Sequence, residues 1–212
     1  METSIFTNYK DWLNKQKMPN GQRAVLQSAL DLFARQGYDG TATAEIAKHA
    51  GVSQGTIFKY FKTKQDLLLA IMMPMIGNLF PVIRNDFFNK LNEYNGLEEL
   101  VHFVVQDRYK FLKENADAIQ ILLTEVMVNK EIQSRFLGLL KASRPVFDQS
   151  SLNRIVKLHL IRPGLTLVDF ARTIIGQLLS YFLQRNLMPE VPTNETEDLK
   201  KIEQLVIHAV RP

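Results

Sequence analysis

An all-α chain, with a small N-terminal three-helix domain followed by a C-terminal helical bundle, is the fold class this sequence predicts. Apolar residues recur at three- and four-residue steps through almost its whole length, the spacing of one helix face. No stretch sustains the two-residue alternation of a half-buried strand, and no internal repeat is present. Helix-stopping residues then cut the chain into segments: Pro19-Asn20-Gly21, Gly37, Gly51, Asn95-Gly96 and Arg162-Pro163-Gly164. The divisions expected are an N-terminal extension over 1–21, a helix-turn-helix domain over 22–71 and a larger helical domain over 72–212.

In the extension, Ile5, Phe6, Tyr9, Trp12 and Leu13 fall at helical spacing, with Lys10, Lys15 and Lys17 on the other side. Two readings stand. The segment is an arm touching the DNA backbone or a minor groove, or a helix packing its aromatics on the body. From Gln22 to Gln36 a helix carries Val25, Leu26, Ala29, Leu32 and Phe33 on one stripe and stops at Gly37. Thr41 or Thr43 caps the next helix, whose inward stripe is Ile46, Ala47 and Ala50. Gly51 sits where a helix end needs positive φ, and Ser53 can cap the following helix. Ile57 and Phe61, four apart, give that helix its inward face.

Two short helices joined by a glycine turn form a helix-turn-helix, whose second helix can enter a major groove. On that second helix Gln54, Gly55, Thr56, Lys59 and Tyr60 lie off the Ile57/Phe61 face. Gly55 permits close approach, while Gln54 and Thr56 can hydrogen-bond base edges. Lys59 and Tyr60 can reach bases or phosphates. Gln54, Gly55, Thr56 and Lys59 are the expected base contacts.

The run from Gly37 to Leu68, with Ala29-Leu30-Asp31-Leu32-Phe33 before it, resembles the DNA-binding domain of TetR-family transcription regulators. The resemblance covers roughly Gln22 to Ile71 as a gapless run; the rest of the chain matches only in helical layout and length. It implies that Thr43, Tyr60 and Lys64 are phosphate contacts, which suits helix-start donors and a lysine ammonium. Two positions depart from the family pattern: Phe58 stands where tyrosine is usual, which removes a hydroxyl, and Ala42 where threonine is common.

Composition narrows the alternatives. Hydrophobic residues make up 46% of 212 and charged residues 23%, which argues against disorder. Without cysteine, neither a disulfide nor a thiolate metal site can form. His49, His102, His159 and His208 are too scattered for metal-ligand spacing. No nucleophile–base signature or phosphate-cradling glycine loop appears, so no catalytic residue, metal or cofactor is expected. No secretory leader opens the chain, and a cytoplasmic location is expected. Residues 1–70 hold 9 Lys and Arg against 6 Asp and Glu, a net +3, whereas residues 71–212 hold 17 against 16. The positive excess lies where the helix-turn-helix is, consistent with phosphate binding.

Beyond Leu67, Pro74 should kink the connecting helix. Helices follow over Val82–Tyr94, Leu97–Glu114, Ala116–Asn129 and Glu131–His159, the last breaking near Ser143-Arg144 because of Pro145. The resemblance implies an effector cavity in this bundle. His102, Gln106, Tyr109, Gln120 and Glu125 are its candidate polar groups and Met127 a candidate apolar one, Met being suited to an adaptable apolar wall. From Leu165 to Leu183 two apolar faces appear: Phe170, Ile174, Leu178 and Phe182 on one, Val168, Ile175, Leu179 and Leu183 on the other. Gly176 and Ser180 would let another helix approach. A last helix carries Leu199, Ile202, Leu205, Val206 and Ala209. Surplus apolar surface on two closing helices can complete a monomer core; in the family the corresponding pair forms a four-helix dimer interface. On that basis Phe170, Ile174, Leu178, Phe182, Ile202 and Leu205 are the expected interface. The partners implied are double-stranded operator DNA, a second copy of the chain and a small, apolar or amphipathic effector. Its binding would release a repressor from DNA through motion of the helix containing Pro74.

Overall fold

The computed structural model describes residues 4–212; residues 1–3 and the side chain of Phe6 lie outside the described residues, so Phe6's place on the N-terminal stripe does too. Among the described residues twelve α-helices and one π-helical turn account for the regular structure, with no strand. Contacts divide the chain into two compact units that interleave in sequence. One comprises the chain up to Ile83 together with Asn115–Lys141, the other Arg84–Glu114 and Ala142–Pro212.

The first unit begins with α1 (Ile5–Lys15) and α2 (Asn20–Gly40). Ser4 caps α1 by accepting from the Thr7 N–H. Ile5, Tyr9 and Leu13 are fully buried, so the segment is a packed helix, as the second of the two readings has it. Lys10 is paired with Asp31 of α2 at 2.8 Å, and the Arg23 guanidinium donates to the carbonyls of Leu13 and Gln16 at the end of α1. Regular α2 geometry ends at Gly37, whose φ of +76° is the left-handed conformation the sequence predicts for a stop.

Helices α3 (Thr43–His49), α4 (Gln54–Tyr60) and α5 (Lys64–Pro74) complete the small domain. Neither Thr41 nor Thr43 caps α3. Thr41 is buried and its hydroxyl donates to the Gly37 carbonyl at 2.7 Å, while the Glu45 carboxylate accepts from the Ala42 N–H at 3.1 Å. Alanine cannot supply a capping oxygen, so only the reverse half of a capping box is made. Thr63 and Asp66 form a complete one at α5, each side chain accepting from the other's backbone N–H at 3.0 Å.

Pro74 does not end its helix. It holds φ −64° and ψ −34°, and the chain continues as a single π-helical turn, Met75–Leu79, into α6 (Phe80–Leu91). A proline has no N–H to give the preceding turn, and a wider turn is one way a helix absorbs that loss. Lys64–Leu91 is long and apolar enough to cross a membrane by length and composition, yet Leu67, Leu68, Ile71, Met72, Met75 and Ile76 are buried in the protein.

Packed on α2 is α8 (Ala116–Val128). Glu125 of α8 is buried near Tyr38, Asp39 and Lys64. Burial raises its carboxyl above the usual 4.5; the Asp39 charge adds to this and Lys64 opposes it. A carboxyl with a raised native pKa favours the fold while protonated, and that contribution is lost as pH climbs through the native value. Glu125→Gln, neutral throughout, should therefore melt with the parent at about pH 4 and above it at about pH 7, by circular dichroism.

The second unit takes the remainder of α6, α7 (Leu97–Glu114), the end of α9 (Lys130–Gln149), α10 (Ser151–Lys157), α11 (Leu167–Leu187) and α12 (Glu195–Val210). Helices α7, α11 and α12 pack on one another around Leu100, Val104, Phe170, Ile174, Leu178 and Val206. Pro145 lies inside α9, and the chain breaks instead at Ser150, whose hydroxyl donates to the Phe147 carbonyl at 2.7 Å. Thr166 and Asp169 cap α11, Asn194 caps α12, and Gly164 turns the chain before α11 with φ +89°.

Candidate nucleic-acid interface and effector cleft

The corner between α3 and α4 is built by local chemistry. Gly51 has φ +66°, its N–H reaches the Lys48 carbonyl at 3.3 Å, and the Val52 N–H reaches the Ala47 carbonyl at 3.0 Å. These two bonds make a Schellman ending, which satisfies carbonyls the last helical turn leaves free. Ser53 then caps α4 by accepting from the Thr56 N–H at 3.2 Å. With Ile46, Ala47, Ile57 and Phe61 buried against α2, the opposite face of α4 is left outward.

On that face the residues divide. Gln54, Gly55, Phe58 and Lys59 are exposed; Thr56 and Tyr60 are half-buried. The Gln54 amide donates to the Thr43 hydroxyl at 3.1 Å, which brings an expected base contact and an expected phosphate contact to one spot. The Thr56 hydroxyl lies 2.9 Å from that of Ser53. The start of α2 lies close by: a Cβ on Gly21 would make ordinary contact with the Thr56 methyl at 3.7 Å and the Tyr60 ring at 3.8 Å. Lys59 projects past Tyr60, its ammonium 5.8 Å from the ring centre. Lys64, first residue of α5, lays its ammonium 4.3 Å from the centre of the Tyr38 ring and 3.4 Å from the Asp39 carbonyl. Loose partners of this kind hold a lysine at the surface without neutralising it.

In the second unit a cleft of about 600 Å³ lies along α7 and α12. His102, Gln106 and Tyr109 line it, but Gln120 and Met127 do not: both are on α8, exposed, Met127 at 81%. Glu125 is likewise in α8, outside this cleft. Residue polarity alone does not show which face of a helix looks into a hollow. Sequence reasoning missed Tyr94 and Phe103, whose stacked rings, 4.8 Å apart, form the aromatic wall. Lys110, Lys113 and Glu195 stand on the polar side, with Lys113 paired to Glu195 at 2.8 Å. His102 and Gln106 both reach the Glu203 carboxylate, at 3.0 and 2.8 Å, tying α7 to α12. Behind the cleft Arg108 lies 3.9 Å from the centre of the Phe87 ring and is paired with Asp107. Burial lowers its pKa and Asp107 opposes that shift.

Residues 25–71 match the family described as bacterial regulatory proteins, tetR family. These residues form a TetR-family DNA-binding domain. Its sequence is 26% identical over 162 residues to the fatty acid metabolism regulator protein of Bacillus subtilis, covering 76% of this chain and 80% of that protein. Among solved structures it resembles the regulator FadR of Bacillus subtilis in complex with stearoyl-CoA, with a TM-score of 0.60, 21% identity and coverage of 87% of this chain and 95% of that one. FadR of Bacillus halodurans superposes with a TM-score of 0.64 at 23% identity, over 91% and 97%. At such identities the structural likeness establishes the fold. With that domain, the chain is a DNA-binding transcription regulator and not an enzyme.

The two closing helices of this regulator correct the expected interface. Phe170, Ile174, Leu178, Phe182 and Ile202 are buried in the core of their own unit and cannot meet a partner. The exposed apolar stripe of α11 is the other face: Val168, Ile175 and Leu183, with Leu179 on the same stripe. On α12 Leu205 is exposed. A side chain added at Gly176 would meet only open space, so a helix can approach there.

Proposed function

We propose that the chain is a homodimeric repressor whose two α4 helices occupy successive major-groove half-sites, and that an acyl thioester of coenzyme A releases it. The observation that carries the DNA half is the α3–α4 corner, which presents Gln54, Gly55 and Lys59 outward from a fixed base. In this reading Gln54, Gly55 and Lys59 meet base edges. Thr56, whose hydroxyl lies on Ser53 and whose methyl faces Gly21, is left out of the base contacts. Thr43, Tyr60 and Lys64 hold phosphates. Such a protein acts where the chromosome is, in the cytoplasm.

Lys64→Ala should weaken binding about equally on all sequences and reduce the slope of log affinity against log salt by about one. Anisotropy titrations on labelled duplex at several salt concentrations measure both quantities. An unchanged slope would remove Lys64 from the phosphate contacts.

For the effector, the support is the amphipathic cleft together with the stearoyl-CoA held by the Bacillus subtilis neighbour. Tyr94, Phe103 and Leu199 offer apolar surface on one side; on the other, Lys110 and Lys113 stand among Asp107, Glu114 and Glu195, with Lys113 paired to Glu195. That division suits a ligand with apolar and polar parts. Binding would shift the population toward conformers whose α4 helices no longer match the half-site spacing. The test is titration of the protein–operator complex with stearoyl-CoA, free coenzyme A and stearate. Release by the thioester alone supports the assignment; no release by any of the three refutes it.

A further inference from the structure

We propose that Phe58 reads a thymine methyl group in the major groove and so sets a sequence preference that the polar side chains of α4 cannot. The inference rests on α4 entering the groove. Phe58 is 46% exposed, and between residues 20 and 81 it is, among the described residues, the only large apolar side chain so exposed. It stands on α4 between Gln54, four residues earlier on the same side, and Lys59. The Gln54 amide is fixed on the Thr43 hydroxyl, so Phe58 lies beside a positioned polar group and not at a mobile end.

A phenyl ring has no donor with which to hold a phosphate. In the major groove every base-edge feature but one is a donor or acceptor, and the exception is the C5 methyl of thymine. A ring left in water on the groove-facing helix therefore gains most from that methyl. Phe58 thus lacks the hydroxyl of a backbone clamp but has the apolar surface of a base reader.

The experiment uses the full chain and the operator recovered by selection from random duplex. Each thymine is replaced in turn by deoxyuridine, which lacks only the methyl, and affinity is measured for the parent, Phe58→Ala and Phe58→Tyr. One thymine per half-site is expected to lose about fourfold in affinity on demethylation with the parent, the worth of one methyl contact. Phe58→Tyr keeps the ring and should retain that sensitivity, whereas Phe58→Ala should bind both duplexes alike. Equal sensitivity in the parent and Phe58→Ala, or none at any thymine, overturns the assignment. A selection that enriches no sequence overturns base reading by α4 as a whole, and Phe58 with it. Phe58 is on the surface, so loss of fold in Phe58→Ala is not expected, and unchanged thermal melting checks this.

Discussion

Ile175→Asp is expected to give a folded monomer that has lost most of its operator affinity. Ile175 is 61% exposed in the middle of the α11 stripe that Val168 and Leu183 extend, and nothing in its own subunit needs it there. A carboxylate at the centre of an apolar contact must be desolvated without a partner, which a two-fold interface presents twice. Once the subunits separate, each α4 binds its half-site alone. The loss of an effective concentration in the millimolar range lowers affinity by roughly 10²- to 10⁴-fold. Sedimentation and anisotropy read the two effects. The neighbouring substitution behaves differently. Ile174 is 2% exposed, so Ile174→Asp places a charge in the core and should abolish the fold itself. A folded monomer from Ile175→Asp and an unfolded chain from Ile174→Asp would separate the two faces of one helix. A dimer persisting in Ile175→Asp would move the interface away from α11.

Tyr9→Ala is the second large effect. Tyr9 is fully buried, its ring is tilted 5.7 Å from that of Trp12, and its hydroxyl donates to the Ala70 carbonyl at 3.5 Å. Burial raises the pKa of the phenol, in keeping with a ring deep in apolar packing. Removing an aromatic side chain from such a place costs about 3–5 kcal/mol, from lost transfer energy and the cavity left behind. Denaturant unfolding should show that loss, while operator affinity of the fraction still folded stays near the parent value. An arm on DNA would give the reverse: unchanged stability and weakened binding.

The α3–α4 corner was legible because its determinants are local: a glycine at the left-handed position, a serine cap and two apolar residues four apart. The α11 faces were not. Phe170, Ile174, Leu178 and Phe182 and their counterparts Val168, Ile175, Leu179 and Leu183 are equally apolar at equally helical spacing. Periodicity says that both stripes avoid water, not which one a partner covers. Pro145 misled for a related reason, since its cost is a single lost hydrogen bond that the packing of α9 can outweigh. The cleft required the pairing of α7 with α12, through His102, Gln106 and Glu203, whose contacts span about a hundred residues of sequence.

Phe58 shows the opposite case, in which one departure from a family pattern carries information. As a missing hydroxyl it only weakens an expected phosphate clamp. As an exposed ring on α4 it becomes a candidate for base reading.

Whether a symmetric pair of α4 helices reads DNA is decided by selecting binding sites from random duplex with the 212-residue chain. The expected outcome is an enriched two-fold-symmetric sequence whose half-site centres lie about 34 Å apart, or a multiple of that spacing. Enrichment of a single asymmetric site, or of no sequence, would contradict it.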